Sequence, residues 1–240
     1  MTPVMAIVNM DGLHFSEHNK TFSADLDFSI SGSSGNTQTE KAVLNTQFSW
    51  RAEKSINLVI LGYKYGKSNN SRNVNRAFVH YRYIHQLNNT VDLEIFGQLE
   101  TNEFTRLSYR GLAGSGVRYT VVKSEQNNAF LGLGAFYSKE KIEVTAGLTD
   151  DGIEEFSRAN IYFLSKYNVS PSISFSNVIY YQPRLNKLSD FRALLETKFD
   201  LKINNVLTLR LSLDVEHDSE PSQGIQNTDV SYMTGLKLRF

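Results

Sequence analysis

From about residue 20 onward the chain alternates apolar and polar residues with a period of two, over segments often 12 residues or longer. That period belongs to strands with two unlike faces. Phe22, Ala24, Leu26, Phe28 and Ile30 share one face, and Ser23, Asp25, Asp27 and Ser29 take the other. Near the C-terminus Leu207, Leu209, Leu211, Leu213 and Val215 oppose Thr208, Arg210, Ser212, Asp214 and Glu216. Such segments fall near 20–32, 39–51, 55–66, 74–87, 90–101, 104–122, 128–139, 155–167, 171–182, 189–203, 206–217 and 227–240. Ordinary globular strands run to about 5–6 residues, so segments this long point to a tall barrel.

All four prolines lie at strand ends or in connections, where no ladder donor is lost. The connections alternate in length. Those at 67–73, 140–154, 183–188 and 218–226 read as long, and Ala52-Glu53-Lys54, Asn88-Asn89 and Asn204-Asn205 as short. Two segments are ambiguous. Residues 189–203 also place Phe191, Leu194, Leu195 and Phe199 at helical spacing, although strand is the preferred reading. In 55–65 both parities are apolar, which leaves the outer face of that strand open.

A soluble barrel hides its apolar parity inside, whereas a membrane barrel turns it to lipid. The polar parity carries charge on nearly every strand, much of it arginine. Tyr83, Tyr119, Tyr137, Tyr167 and Tyr181 recur at strand ends on the apolar parity, as in an interfacial girdle. The chain ends at Phe240, in register with Tyr232, Leu236 and Leu238, the form of a C-terminal signal read by the barrel assembly machinery. The expectation is an all-β, transmembrane, antiparallel up-and-down barrel of about 12 strands with both termini in the periplasm. A soluble β-sandwich is the rival.

Composition removes other classes. The longest apolar run is Leu58-Val59-Ile60-Leu61-Gly62-Tyr63, far short of the roughly 20 residues of a spanning helix. There is no cysteine, hence no disulfide and no thiolate chemistry. Lys+Arg and Asp+Glu balance at 25 each, which argues against nucleic acid as a partner. With 15 Phe and 12 Tyr the chain is not a disordered one. Residues 1–19 lack both the alternation and the pattern of a secretory signal, and read as a leader or periplasmic tail before a single barrel domain, 20–240. A signal peptide is absent from this chain, and the rest of the sequence favours its prior removal.

Particular stretches resemble a known family. They are Gly32-Ser33-Ser34-Gly35-Asn36-Thr37, Phe104-Thr105-Arg106-Leu107-Ser108, Tyr180-Tyr181-Gln182-Pro183, Ser189-Asp190-Phe191-Arg192-Ala193-Leu194 and His217-Asp218-Ser219-Glu220-Pro221. Together they resemble the salt-induced outer-membrane protein family, a family of unknown function, over nearly the whole chain from about residue 20. Ser222 stands where a second proline of the last motif is expected, a departure that bears on the final loop alone. The resemblance implies a β-barrel of the Gram-negative outer membrane with a link to salt or acid stress. It brings no activity, cofactor or catalytic residue.

The candidate functional residues are the inward charges Arg76, His80, Arg82, Glu94, Glu100, Arg106, Arg110 and Arg118, with Arg158 and Asp92 nearby. Read functionally they are a basic track for anionic solutes; read structurally they are cross-strand ion pairs, the preferred reading because buried charges must be paired or hydrated. Tight turns would set Arg76 opposite Glu100, Arg82 opposite Glu94 and Glu100 opposite Arg106, an Arg–Glu–Arg cluster that strand stagger can shift by two residues.

No metal site is expected. His14 and His18 have helical spacing but no helix and no third ligand, and Asp150-Asp151 lacks the ligand spacing of a calcium loop. His217-Asp218-Ser219 has the residue types of a hydrolytic triad, but adjacent residues cannot converge on one atom. Glycines at 111–116 and 132–134 make room for inward bulky side chains such as Phe130 and Phe136 rather than forming a phosphate loop. The expected surroundings are outer-membrane lipid and lipopolysaccharide, with no cofactor. The expected role is a narrow channel for small solutes or a structural contribution to the envelope. The rivals are an outer-leaflet lipid-modifying enzyme and a loop-mediated binding or adhesion module.

Overall fold

The computed structural model describes residues 21–35, 38–144, 147 and 152–239. The first six strands are β1 (Phe22–Ser33), β2 (Thr39–Arg51), β3 (Ser55–Ser68), β4 (Ser71–Gln86), β5 (Val91–Asn102) and β6 (Leu107–Lys123). The next six are β7 (Asn127–Ile142), β8 (Ile153–Ser170), β9 (Ile173–Arg184), β10 (Lys187–Lys202), β11 (Leu207–Asp218) and β12 (Thr228–Arg239). Each pairs antiparallel with the next, and β12 returns to β1, so the sheet is a closed barrel. A 3-10 turn, Glu103–Thr105, joins β5 to β6.

The two ambiguous segments are settled by their neighbours. Residues 189–203 lie within β10 and its following turn, because β9 and β11 supply backbone partners from Arg192 to Leu201 that a helix could not use. In β3 the even positions face in, with Leu58 1% and Ile60 7% exposed, while Leu61 and Tyr63 face out. Both parities are apolar there because the inner face of β3 packs against an apolar layer inside the barrel. Elsewhere the outer surface is apolar: Leu44, Ile95, Leu133, Ile179 and Leu211 are all exposed.

The connections depart from the expected lengths. β3 and β4 are joined by Asn69-Asn70 alone, with φ of 48° and 63°, the double left-handed turn that matches strand twist in a two-residue hairpin. β9 and β10 are likewise joined by residues 185–186, because the strands extend to Arg184 and Lys187. Two longer connections remain at the end of the barrel opposite the termini, between β7 and β8 and between β11 and β12. We call this the distal end and the other the terminal end. Residues 1–19, Phe240, and Asp150 and Asp151 lie outside the described residues.

The closing seam is short. β1 pairs with β2 from Phe22↔Trp50 to Ser33↔Thr39, but with β12 only from Asp25↔Arg239 to Phe28↔Leu236. On its inner side Asp25 binds Lys237 at 3.2 Å and Arg239 at 2.9 Å.

Inside, an apolar cluster including Leu58, Phe96, Phe130, Phe136, Tyr162 and Leu194 fills the lumen beside β3–β10. Two glycines make room for inward rings, Tyr162 of this cluster and Phe78 outside it. The Tyr162 ring lies across Gly132 and the Phe78 ring across Gly62, and a Cβ at either glycine would overlap the ring.

Candidate functional site

Inward-facing polar residues form an ordered set of ion pairs, and at the distal end these cross the lumen. Arg76 on β4 reaches Glu100 on β5 at 2.6 Å, and Glu100 also meets Arg110 on β6 at 3.3 Å. Arg110 clamps Glu140 on β7 through Nε at 2.7 Å and Nη2 at 3.0 Å. The same carboxylate is held from β10, past β8 and β9, by Arg192 at 2.7 and 3.2 Å. Arg192 then binds Asp218 on β11 at 2.8 Å. The circuit returns from β11 to β4, where Glu216 lies 3.8 Å from Arg76. All seven residues are at least nine-tenths buried. Forked guanidiniums suit this task, since each presents several donors in fixed directions to planar carboxylates.

A second distal group braces the first. Asp190 accepts from Arg158 at 2.5 Å and pairs with Arg184 at 3.4 Å. The guanidiniums of Arg158, Arg184 and Arg192 all lie over the Phe156 ring, at 4.8, 4.8 and 5.6 Å from its centroid. A ring face offers a cation its negative quadrupole, which offsets part of the desolvation.

Nearer the terminal end, Arg82 binds Glu94 at 3.1 Å, and the Tyr162 hydroxyl donates to the same carboxylate at 2.7 Å. Arg82 also stacks over Phe96, while Arg118 pairs with Asp92 at 2.6 Å and stacks over Phe130. His80 is 1% exposed and lies 3.2 Å from the side-chain oxygen of Gln98. Gln98 in turn donates to Glu100 at 3.0 Å, which links this group to the distal circuit.

The lumen beside β1–β3 and β10–β12 is different: it holds a cavity of about 80 Å3, enough for several waters. Asp27, Lys64, Glu196, Lys198, Arg210 and Asp214 line it. Arg210 is committed to Asp200 at 2.6 Å and Asp27 at 2.8 Å, and Lys198 to Glu196.

Of the eight charged or polar residues expected in the lumen, the structure places Arg76, His80, Arg82, Glu94, Glu100, Arg110 and Arg118 on inner faces, each at most 5% exposed. Arg106 is a correction. The 3-10 turn takes it out of β6, its φ is 60°, and β6 begins at Leu107. Its guanidinium instead donates to the carbonyls of Glu143, at 3.1 and 2.6 Å, and Gln223, at 3.0 Å, tying the two longer distal loops together. Glu100 therefore faces Arg110 in register. Arg76 and Arg82 sit opposite Asn102 and Phe96, so their bonds to Glu100 and Glu94 are diagonal, two residues off the expected pairing.

Sequence reasoning missed Glu140, Arg192, Asp218 and Glu216. Glu216 lay on a polar parity, but Glu140 and Asp218 fell in stretches read as long connections and Arg192 in a segment that also fitted helical spacing, and a bond that skips two strands has no signature in strand order. His217 and Asp218 point to opposite faces: His217 contacts Thr228 at 2.8 Å, whereas Asp218 faces in toward Arg192. Among the described residues no group of three or more His, Cys, Asp or Glu is arranged to hold a metal ion.

With this geometry established, comparison with known proteins adds a family. The model of the family described as "Protein of unknown function, DUF481" matches residues 26–240. The chain belongs to this family. The match begins inside β1 and includes every later strand. No curated protein matches the sequence. Among solved structures, the translocator domain of the autotransporter NalP from Neisseria meningitidis has a TM-score of 0.54 at 12% identity, over 96% of this chain and 91% of that one. The NanC porin has a TM-score of 0.53 at 12% identity, over 90% and 98%. At such identities the likeness is one of fold. This family member has the barrel architecture of outer-membrane porins and autotransporter domains.

Proposed function

We propose that the protein resides in the outer membrane with its apolar surface in lipid and its termini in the periplasm, and that it passes small polar solutes by a narrow, closable route. The observation that carries this reading is the division of the lumen. One side is packed solid, the other holds a charge-lined cavity, and at the distal end ion pairs cross the section between them, from Glu140 to Arg192 and from Glu216 to Arg76. A wide, permanently open porin does not fit, because side chains from opposite walls touch. A route that opens when the distal ion pairs rearrange does fit. The suggested tie to salt or acid stress rests on the family resemblance alone.

Single-channel recording in planar bilayers tests this. The wild type should show rare, small steps. Replacing Arg192 with methionine together with Glu140→Gln should raise open probability several-fold. A folded double variant as silent as the wild type would remove the passage and favour a structural role, which the extensive pairing of the interior would also suit.

A further inference from the structure

Two like-charge pairs stand in register on different walls of the cavity side of the lumen. On β10 and β11, Glu196 lies directly opposite Asp214, and both face inward at 3% and 7% exposure. On β3 and β4, Lys64 lies directly opposite Arg76. Like charges placed directly opposite across a strand pair are destabilising. Burial worsens this, since a charge away from water needs a partner.

The protein pairs only part of this charge directly. Arg76 is engaged by Glu100 and approached by Glu216, and Glu196 is bound by Lys198. Lys64 has no ion pair among the described residues, although it lines the cavity. Asp214 lines it as well. Its Oδ1 is buried without a hydrogen-bond partner, and its Oδ2 takes only the Ser231 hydroxyl at 3.4 Å. Glu216, the next inward residue on β11, has no hydrogen-bond donor at either oxygen. The cavity thus presents an ammonium without a direct partner from one wall, within electrostatic reach of Glu196 and Glu216, and a carboxylate with an unpartnered oxygen from another, within reach of Lys41 and Lys198. Val43, Ile60 and Phe78 supply apolar surface around them.

We propose that this cavity binds a small zwitterion, with its ammonium group on Asp214 and Glu196, its anionic group on Lys64, and its hydrocarbon portion against Phe78 and Ile60. A cation alone would leave Lys64 without a direct partner, and an anion alone would leave the buried Asp214 oxygen without one. A zwitterion satisfies both without changing the net charge of the site. The same chemistry has two sources, a free amino acid in the medium or the headgroup of a zwitterionic lipid entering beside the short β1–β12 seam, whose Phe28 and Leu236 also border the cavity. The proposal deepens the solute-passage reading by naming its solute class. Binding is measured without conductance, so the two fail separately.

The test is calorimetric titration of the folded protein in a non-ionic detergent. The ligands are glycine, β-alanine, 4-aminobutyrate and 5-aminovalerate, with butylamine and butyrate as singly charged controls and lysophosphatidylethanolamine as the lipid arm. At least one zwitterion should bind ten times or more tightly than either control. Saturation by an amino acid identifies a soluble ligand, and saturation by the lysolipid alone identifies a lipid headgroup. Lys64→Gln should lower zwitterion affinity at least tenfold and leave butylamine unchanged, and Asp214→Asn should do the converse with butyrate. Glu155→Gln, on the outer rim beside Lys139, should change nothing. No zwitterion binding by the wild type, or binding no tighter than that of both controls, overturns the proposal whatever the variants do.

Discussion

Arg192 on β10 grips both oxygens of Glu140 on β7, although β8 and β9 stand between their strands. Neighbouring strands in a barrel pair through their backbones, so a side-chain bond that skips two of them crosses the lumen. Glu140 is already clamped by Arg110 from the adjacent strand, which makes one carboxylate a bridge between β6 and β10. The distal circuit is therefore both a brace between strands and a crossing of the lumen.

That double role predicts energetic coupling. In a double-mutant cycle, Arg192→Met and Glu140→Leu should be non-additive by roughly 0.5–3 kcal/mol, the range for residues in one network. Urea unfolding from lipid vesicles measures it. Additive effects would mean that the two side chains do not meet in the membrane-embedded protein.

Glu100 is bound by Arg76 and Arg110 at once. Glu100→Ala should destabilise the barrel by about 3–5 kcal/mol, the usual cost of breaking a buried pair from one side. Replacing Arg76, Glu100 and Arg110 together by apolar residues of similar volume should cost less than that single change. If the single change proves nearly neutral by the same unfolding measurement, water reaches this part of the lumen and solvates the arginines.

Gly132 carries no side chain where the Tyr162 ring lies. Gly132→Val should destabilise by roughly 1–3 kcal/mol through overpacking, and Tyr162→Ala in the same chain should recover part of the loss. A Gly132→Val barrel with wild-type stability would contradict the packing of β7 on β8.

The absence of native cysteine makes labelling clean. Nitroxides at Leu211 and Leu213 on the outer face should be quenched by lipid-soluble reagents, and one at Ser212 should not. The reverse pattern would make the outer surface aqueous.

Cysteine at Glu220, on the β11–β12 loop, should react with an impermeant maleimide in intact cells. Cysteine at Ser124, in the β6–β7 turn, should react only after the outer membrane is opened. Swapped labelling would place the termini outside the cell.

Period two in long segments was enough to determine strands, their number and which parity is polar, because side-chain alternation is a local property of extended backbone. The polar parity of Arg76, Arg82, Glu94 and Glu100 was legible for the same reason. Register was less so. A three-residue turn at Glu103–Thr105 rotated Arg106 out of the barrel and brought Arg110 to Glu100, a displacement that depends on backbone angles rather than on hydrophobicity. In the same way Asn69-Asn70 made a tight hairpin where the polarity of 67–73 suggested a long loop. The crossing of the lumen by ion pairs belongs wholly to the tertiary structure. Arg192 and Glu140 are 52 residues apart, and the opposition of Lys64 with Arg76 to Glu196 with Asp214 exists only once the barrel has curved β3 and β4 round to share a lumen with β10 and β11. Curvature arises from the sum of all twelve pairings, so no single stretch of sequence carries it.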